Sequence, residues 1–294
     1  MSELIVEVVR GDTVESRHRV HAVAVRDGRI VASAGDPRYL TFMRSSSKPL
    51  QALPLARARP DLAGDELAIA CASHLARPEQ LDPVRRLLAA AGATEDDLEC
   101  GAEGDPPSRL NHNCSGKHAG MLNVCRAHDW TLAGYRLASH PLQRQLHAET
   151  AAAAGLEPAQ VAVAVDGCGV LSFAMPLERM AVAFARLPSL DGGVAIVRAM
   201  RAHPALIRAP GAPDTVLMEQ ADGWIAKGGA EGLMCAAGPD GTAFALKVED
   251  GSGRAVRPAT AAFAAQLGID LPQLAVESVD NSLGERVGQI RAAA

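Results

Sequence analysis

The feature that most restricts the fold is the placement of β-rich sequence on both sides of a helical middle. "LIVEVVRG" and "RVHAVAVRDGRIVASAG" open the chain with β-branched runs and an Asp27-Gly28 turn signal. After Pro213 the pattern returns in "DGWIAKGG", "GLMCAAG" and "TAFALKVEDG", the last two separated by a Pro239-Asp240-Gly241 turn. Helical signals fill most of the interval. One covers Ser45 to about Ala58, and "PEQLDPVRRLLAAAG" ends on Gly92. "GKHAGMLNVCRAH" follows, then "PLQRQLHAETAAAAG" from Pro141 to Gly155, then "GVAIVRAMRAHP", stopped at Pro204. "QVAVAVDGCG" reads as a strand running into a Gly-rich turn, and "ATAAFAAQLG" near the end reads as helix. This order predicts an α+β protein in which N- and C-terminal strands share one antiparallel sheet. A chain of 294 residues, 48% hydrophobic, can bury a sizeable core. Without a repeat, a linker or a break in composition, it reads as one domain over 1–294.

Composition narrows the function classes. The net charge of −5 and the lack of a basic stripe argue against a nucleic-acid partner. No apolar stretch approaches a membrane span, so no membrane partner is expected. "MSELIVEVVRGD" has acidic residues and only a short apolar run, unlike a signal or transit peptide, and a cytoplasmic location is the expectation. Six cysteines in such a chain point to structural, metal or catalytic roles rather than to a disulfide scaffold.

Lysine is rare here, and its positions are informative. Of 29 basic residues only four are lysines: Lys48, Lys117, Lys227 and Lys247. A lysine can become a neutral amine on burial, whereas arginine keeps its proton. In "RSSSKPLQALP", Ser45 and Lys48 are three apart, so on a helix a neutral Lys48 could take the Ser45 proton. Taken alone, the pattern is more often that of an N-cap serine followed by a solvated lysine. "HNCSGKHAGM" gathers Asn111, His112, Asn113, Cys114, Ser115, Lys117 and His118 where a loop enters a helix. In "AVDGCGVLSF", Asp166 and Cys168 ride a Gly-flanked turn. Asp166 there could bind a substrate ammonium, and Cys168 could join Cys114 as a soft metal ligand. "AKGGAEG" puts Lys227 at a strand end before glycines. The order S-x-x-K, polar cluster, late strand Lys-Gly is that of serine amidohydrolases that act on penicillins.

Together "RSSSKPLQALP", "CASH", "HNCSGKHAGML", "DGCG", "MRAHP", "DTVLM", "KGGAEG" and "ALKVEDG" resemble the Rhizobium-type, thermolabile or class 3 L-asparaginase family, from about Arg19 to Arg254. The resemblance implies a serine β-lactamase-like fold, a homodimer, and hydrolysis of L-asparagine, a small-molecule substrate, to L-aspartate and ammonia. Its S-x-x-K falls on Ser45 and Lys48, its second serine on Ser73 and the lysine paired with that serine on Lys227. Its labile zinc site falls on Cys114, Lys117 and Cys168, in a role that serine chemistry does not strictly require. Its substrate contacts fall on Arg44, His118 and Asp166, while Lys247 receives no role. Two segments depart from the family pattern: "LARPEQ" after His74, and Val170-Leu171 after Gly169. Both flank the expected pocket.

These residues lead to an expected acyl-enzyme on Ser45 with Lys48 as base, and with Ser73 and Lys227 relaying protons to the departing ammonia. The rivals are a penicillin-recognising enzyme, a glutaminase or other serine amidohydrolase of the same fold, and a non-catalytic asparagine or metal sensor. Ammonia release from asparagine and from glutamine separates them.

Overall fold

The computed structural model describes residues 3–293. Its strands are β1 (Leu4–Arg10), β2 (Thr13–Arg26), β3 (Arg29–Ala34), β4 (Leu40–Phe42), β5 (Ala162–Val165), β6 (Leu171–Pro176), β7 (Ile225–Gly229), β8 (Leu233–Ala237), β9 (Ala243–Val248), β10 (Val276–Asp280) and β11 (Arg286–Ala292). All pairings among them are antiparallel. The large sheet runs β10-β11-β1-β2-β9-β8-β7, with β3 also paired to β2. The strands of both chain ends therefore share one sheet, and with the helices between them the architecture is α+β.

Long β2 organises this sheet. Its first half pairs with β1, its second half with β3, and Val20–Val25 pair with β9 on the other side. At the β2–β3 turn both Asp27 (φ 52°) and Gly28 (φ 72°) have positive φ, as a two-residue primed hairpin turn requires. Every residue of β8 and β9 is buried, which in a period-two element means that both faces are covered. The helix Leu177–Arg186 packs against β2, β8 and β9, and Val256–Ala265 packs against β1, β9 and β11. Phe244 of β9 meets Phe263 of the second helix edge to face at 5.9 Å. A smaller sheet, β4-β6-β5, joins the chain before Arg44 to the segment around Asp166. Among the described residues no single helix is long and apolar enough to cross a membrane.

Several elements differ from the sequence reading. The helix expected from Ser45 to Ala58 is three pieces: a 3-10 turn Arg44–Ser47 and helices Lys48–Gln51 and Leu53–Ala58. Pro49 and Pro54 lack the amide hydrogens that would run one helix through. The sheet also extends past the C-terminal helix, where β10 and β11 follow Val256–Ala265 and β11 pairs with β1. A helix Pro213–Gln220 precedes β7 where strand was expected to resume, and helices Gly64–Ala70 and Leu177–Arg186 were not anticipated.

Candidate active site

The Arg44–Ser47 turn leaves β4 with Arg44 at φ 47°, a conformation unusual for a residue with a side chain. Arg44 Nε donates to Asp166 Oδ1 at 2.9 Å, and the Met43 amide donates to the Phe173 carbonyl at 2.8 Å. These contacts fix the turn against the smaller sheet. On its other side the turn lies on β7, where Ser46 Oγ donates to the Lys227 carbonyl at 2.9 Å. A Cβ at Gly229 would come within 2.9 Å of both the Met43 carbonyl and Ser46 Oγ, so glycine is what allows this approach.

Beside the turn is a cleft of about 420 Å³ whose walls include Ser45, Ser73, Asn113, Arg208, Asp214 and Lys227. Ser45 is half-buried, and its hydroxyl has no hydrogen-bond partner among the described residues. Lys48 is buried; its Nζ donates to Ser73 Oγ at 3.0 Å and to the Ala72 carbonyl. Burial pushes the Lys48 ammonium below its ordinary value, against the pull of Cys114, and Lys117 adds in the same direction as burial. Lys227 is also buried, 3.8 Å from the buried Asp214 carboxylate, and donates to the Gly228 carbonyl. Burial lowers it to about 8, partly offset by Asp214. Ser73 thus has Lys48 as its amine partner. No hydrogen bond links Ser45 to Lys48 or Ser73 to Lys227 among the described residues.

Cys114, Lys117 and Cys168 lie together behind Lys48. Lys117 Nζ donates to Cys168 Sγ at 2.9 Å, and all three residues are buried. The hydrogen bond with Cys168, opposed by burial and helped by Lys48 and Lys117, holds Cys114 well below the usual thiol range. The same contact with Cys114, together with burial, raises Cys168. Burial opposes the charge on Lys117, but the two sulfurs raise it overall. Among the described residues no three His, Cys, Asp or Glu side chains cluster as a metal site. This trio, however, offers two thiols and an amine, a donor set chemically suited to a soft dication.

The expected substrate contacts sit elsewhere. His118 is fully buried, and the Tyr135 hydroxyl, which accepts from the Glu99 amide at 2.9 Å, lies 2.6 Å from its Nδ1. Burial lowers that imidazole well below its ordinary value. Nε2 has no partner. Arg44 and Asp166 bind each other, and neither they nor His118 line the cleft. Lys247, on the same sheet, donates to the Val248 carbonyl and is lowered by burial, opposed by Glu231.

Sequence reading did not single out Asp214 and Arg208. Asp214 opens the Pro213–Gln220 helix inside "DTVLM", a segment noted only as part of the resemblance. His74 was also passed over. Its Nδ1 accepts from the Ala76 amide at 3.1 Å, so Nε2 donates to Ser115 Oγ at 2.8 Å, tying the Ser73 segment to the start of the helix Ser115–Ala127, which carries Lys117.

A search of curated proteins gives no match. The family model described as L-asparaginase II matches residues 6–292, nearly the whole length, and the chain belongs to the L-asparaginase II family of amidohydrolases.

Proposed function

We propose that the protein is an L-asparaginase, one domain of serine β-lactamase-like fold acting as a homodimer in the cytoplasm. It hydrolyses L-asparagine to L-aspartate and ammonia. The observation that carries this reading is the meeting of Ser45, Ser73 and Lys227 in one cleft, with buried Lys48 bonded to Ser73.

In the reaction Ser45 Oγ attacks the side-chain amide carbon, and the neutral Lys48 amine accepts the hydroxyl proton. The C–N bond then breaks. Ammonia is a poor leaving group unless its nitrogen is protonated, and the Ser73 hydroxyl on Lys48 Nζ relays the proton to it. Lys227, lowered to about 8, holds or releases a proton near neutral pH and serves the same relay. Water then cleaves the Ser45 ester, freeing L-aspartate and restoring the hydroxyl. Cys114, Lys117 and Cys168 would hold a zinc ion, which supplies charge and cross-links the loops behind Lys48. The serine steps do not pass through it.

Ammonia release from L-asparagine and L-glutamine, for the wild type and Ser45→Ala, tests the proposal. Release from asparagine that is abolished in Ser45→Ala is expected. Undiminished activity in Ser45→Ala removes the serine scheme, faster release from glutamine reassigns the substrate, and no release from either removes the enzyme reading.

A further inference from the structure

Arg208 faces the cleft from the loop after the short helix Pro204–Ile207, half-buried among Ser73, Asp214 and Lys227. Its Nη1 donates to the Ser73 carbonyl at 3.0 Å, which fixes the guanidinium beside the residue bonded to Lys48. Its remaining N–H groups meet no acceptor, and no carboxylate pairs with it, among the described residues. The other charges nearby are committed. Asp214 is 3.8 Å from Lys227 Nζ and accepts from the Gly228 and Thr215 amides, and Arg44 is bound to Asp166 outside the cleft. Leu233, Met234 and Val256 also line the cleft and offer no group that could stabilise a charge.

A guanidinium held by one N–H group in a cleft that Ser45 and Ser73 also line keeps the planar fork that binds a carboxylate at two points. We infer that Arg208 is the anchor for the substrate's α-carboxylate, placing the side-chain amide at Ser45 and making the enzyme selective for amides that carry a carboxylate. This assigns to Arg208 the part that the family resemblance gave to Arg44, and it rests on the asparaginase reading.

The test compares kcat/KM for L-asparagine with that for 3-aminopropanamide, which is asparagine without its α-carboxyl group, in wild type, Arg208→Gln and Arg208→Lys. In Arg208→Gln the asparagine value falls roughly 10- to 100-fold, mainly through KM, while the 3-aminopropanamide value changes little. Arg208→Lys, which keeps the charge and a donor for Ser73, recovers part of the loss. Binding of L-aspartate by calorimetry repeats the comparison without turnover, and Arg208→Gln weakens it by a similar factor. An equal loss on both substrates, or unchanged aspartate affinity, makes Arg208 only a brace for Ser73 and overturns the inference. If the wild type releases no ammonia from asparagine and binds no aspartate, the asparaginase reading falls and the anchor with it.

Discussion

Lys48 Nζ lies 3.0 Å from Ser73 Oγ, so the amine three residues after Ser45 is hydrogen-bonded to a serine of a different segment. Lys48→Arg keeps a long basic side chain but supplies no neutral amine. We expect kcat to fall roughly 10²- to 10⁴-fold, the usual worth of a positioned base. Steady-state kinetics above pH 7 checks this, and wild-type activity in Lys48→Arg would show that no proton passes through this amine.

His74 links stability to acid. Burial lowers its pKa from the ordinary imidazole value of 6.5 to about 4. Between those values the unfolded chain takes up the proton and the folded chain does not. The stability present above pH 6.5 is therefore lost as pH falls toward 4, by about 3 kcal/mol from this group. Urea unfolding from pH 7 to 4 measures the slope. His74→Gln, which retains a donor for Ser115, flattens that part of the profile; an unchanged slope in the variant assigns it to other groups.

Gly229→Ala forces a methyl group against the Met43 carbonyl and Ser46 Oγ, both 2.9 Å from the ideal Cβ position. The turn carrying Ser45 must then move away from β7. A displacement of about an ångström at a reacting group costs roughly 10- to 100-fold in rate. We expect kcat to drop by that order while the far-ultraviolet dichroism spectrum is retained. Full activity would mean that the turn yields without shifting Ser45.

Cys168→Ser removes one of two thiols from the trio with Cys114 and Lys117. Elemental analysis of wild-type protein prepared with zinc is expected to find about one ion per chain, and the variant little. Activity should fall but persist, since the serine steps do not use the metal. Complete, zinc-reversible inactivation by a chelator would give the metal a direct part instead.

How much of this could be read in advance depended on whether the signal was local. The β2–β3 hairpin was legible because Asp27-Gly28 is a turn signal in two adjacent residues. Lys48 and Lys227 stood out because the chain otherwise prefers arginine. β10 and β11 were not legible: "VESVD" and "RVGQIRA" are half-exposed and short of apolar residues, and it is β1, far away in the sequence, that pairs with β11. The Pro213–Gln220 helix buries Asp214 through Met218 consecutively, so it has no polar face to give a helical period. Arg208 lies in a loop with no local pattern, and only the folded chain brings it to the cleft. Conversely, His118 has the composition of a site residue, yet tertiary packing sets it against Tyr135.

The hydrogen bond from Ser46 Oγ to the Lys227 carbonyl joins residues 181 positions apart. In folding terms it closes one of the longer loops in the chain, and loop closure of that length follows the local helices and hairpins. A refolding chain diluted from denaturant will recover its helical signal before its catalytic rate. The interval between the two measures how late the two halves of the cleft meet.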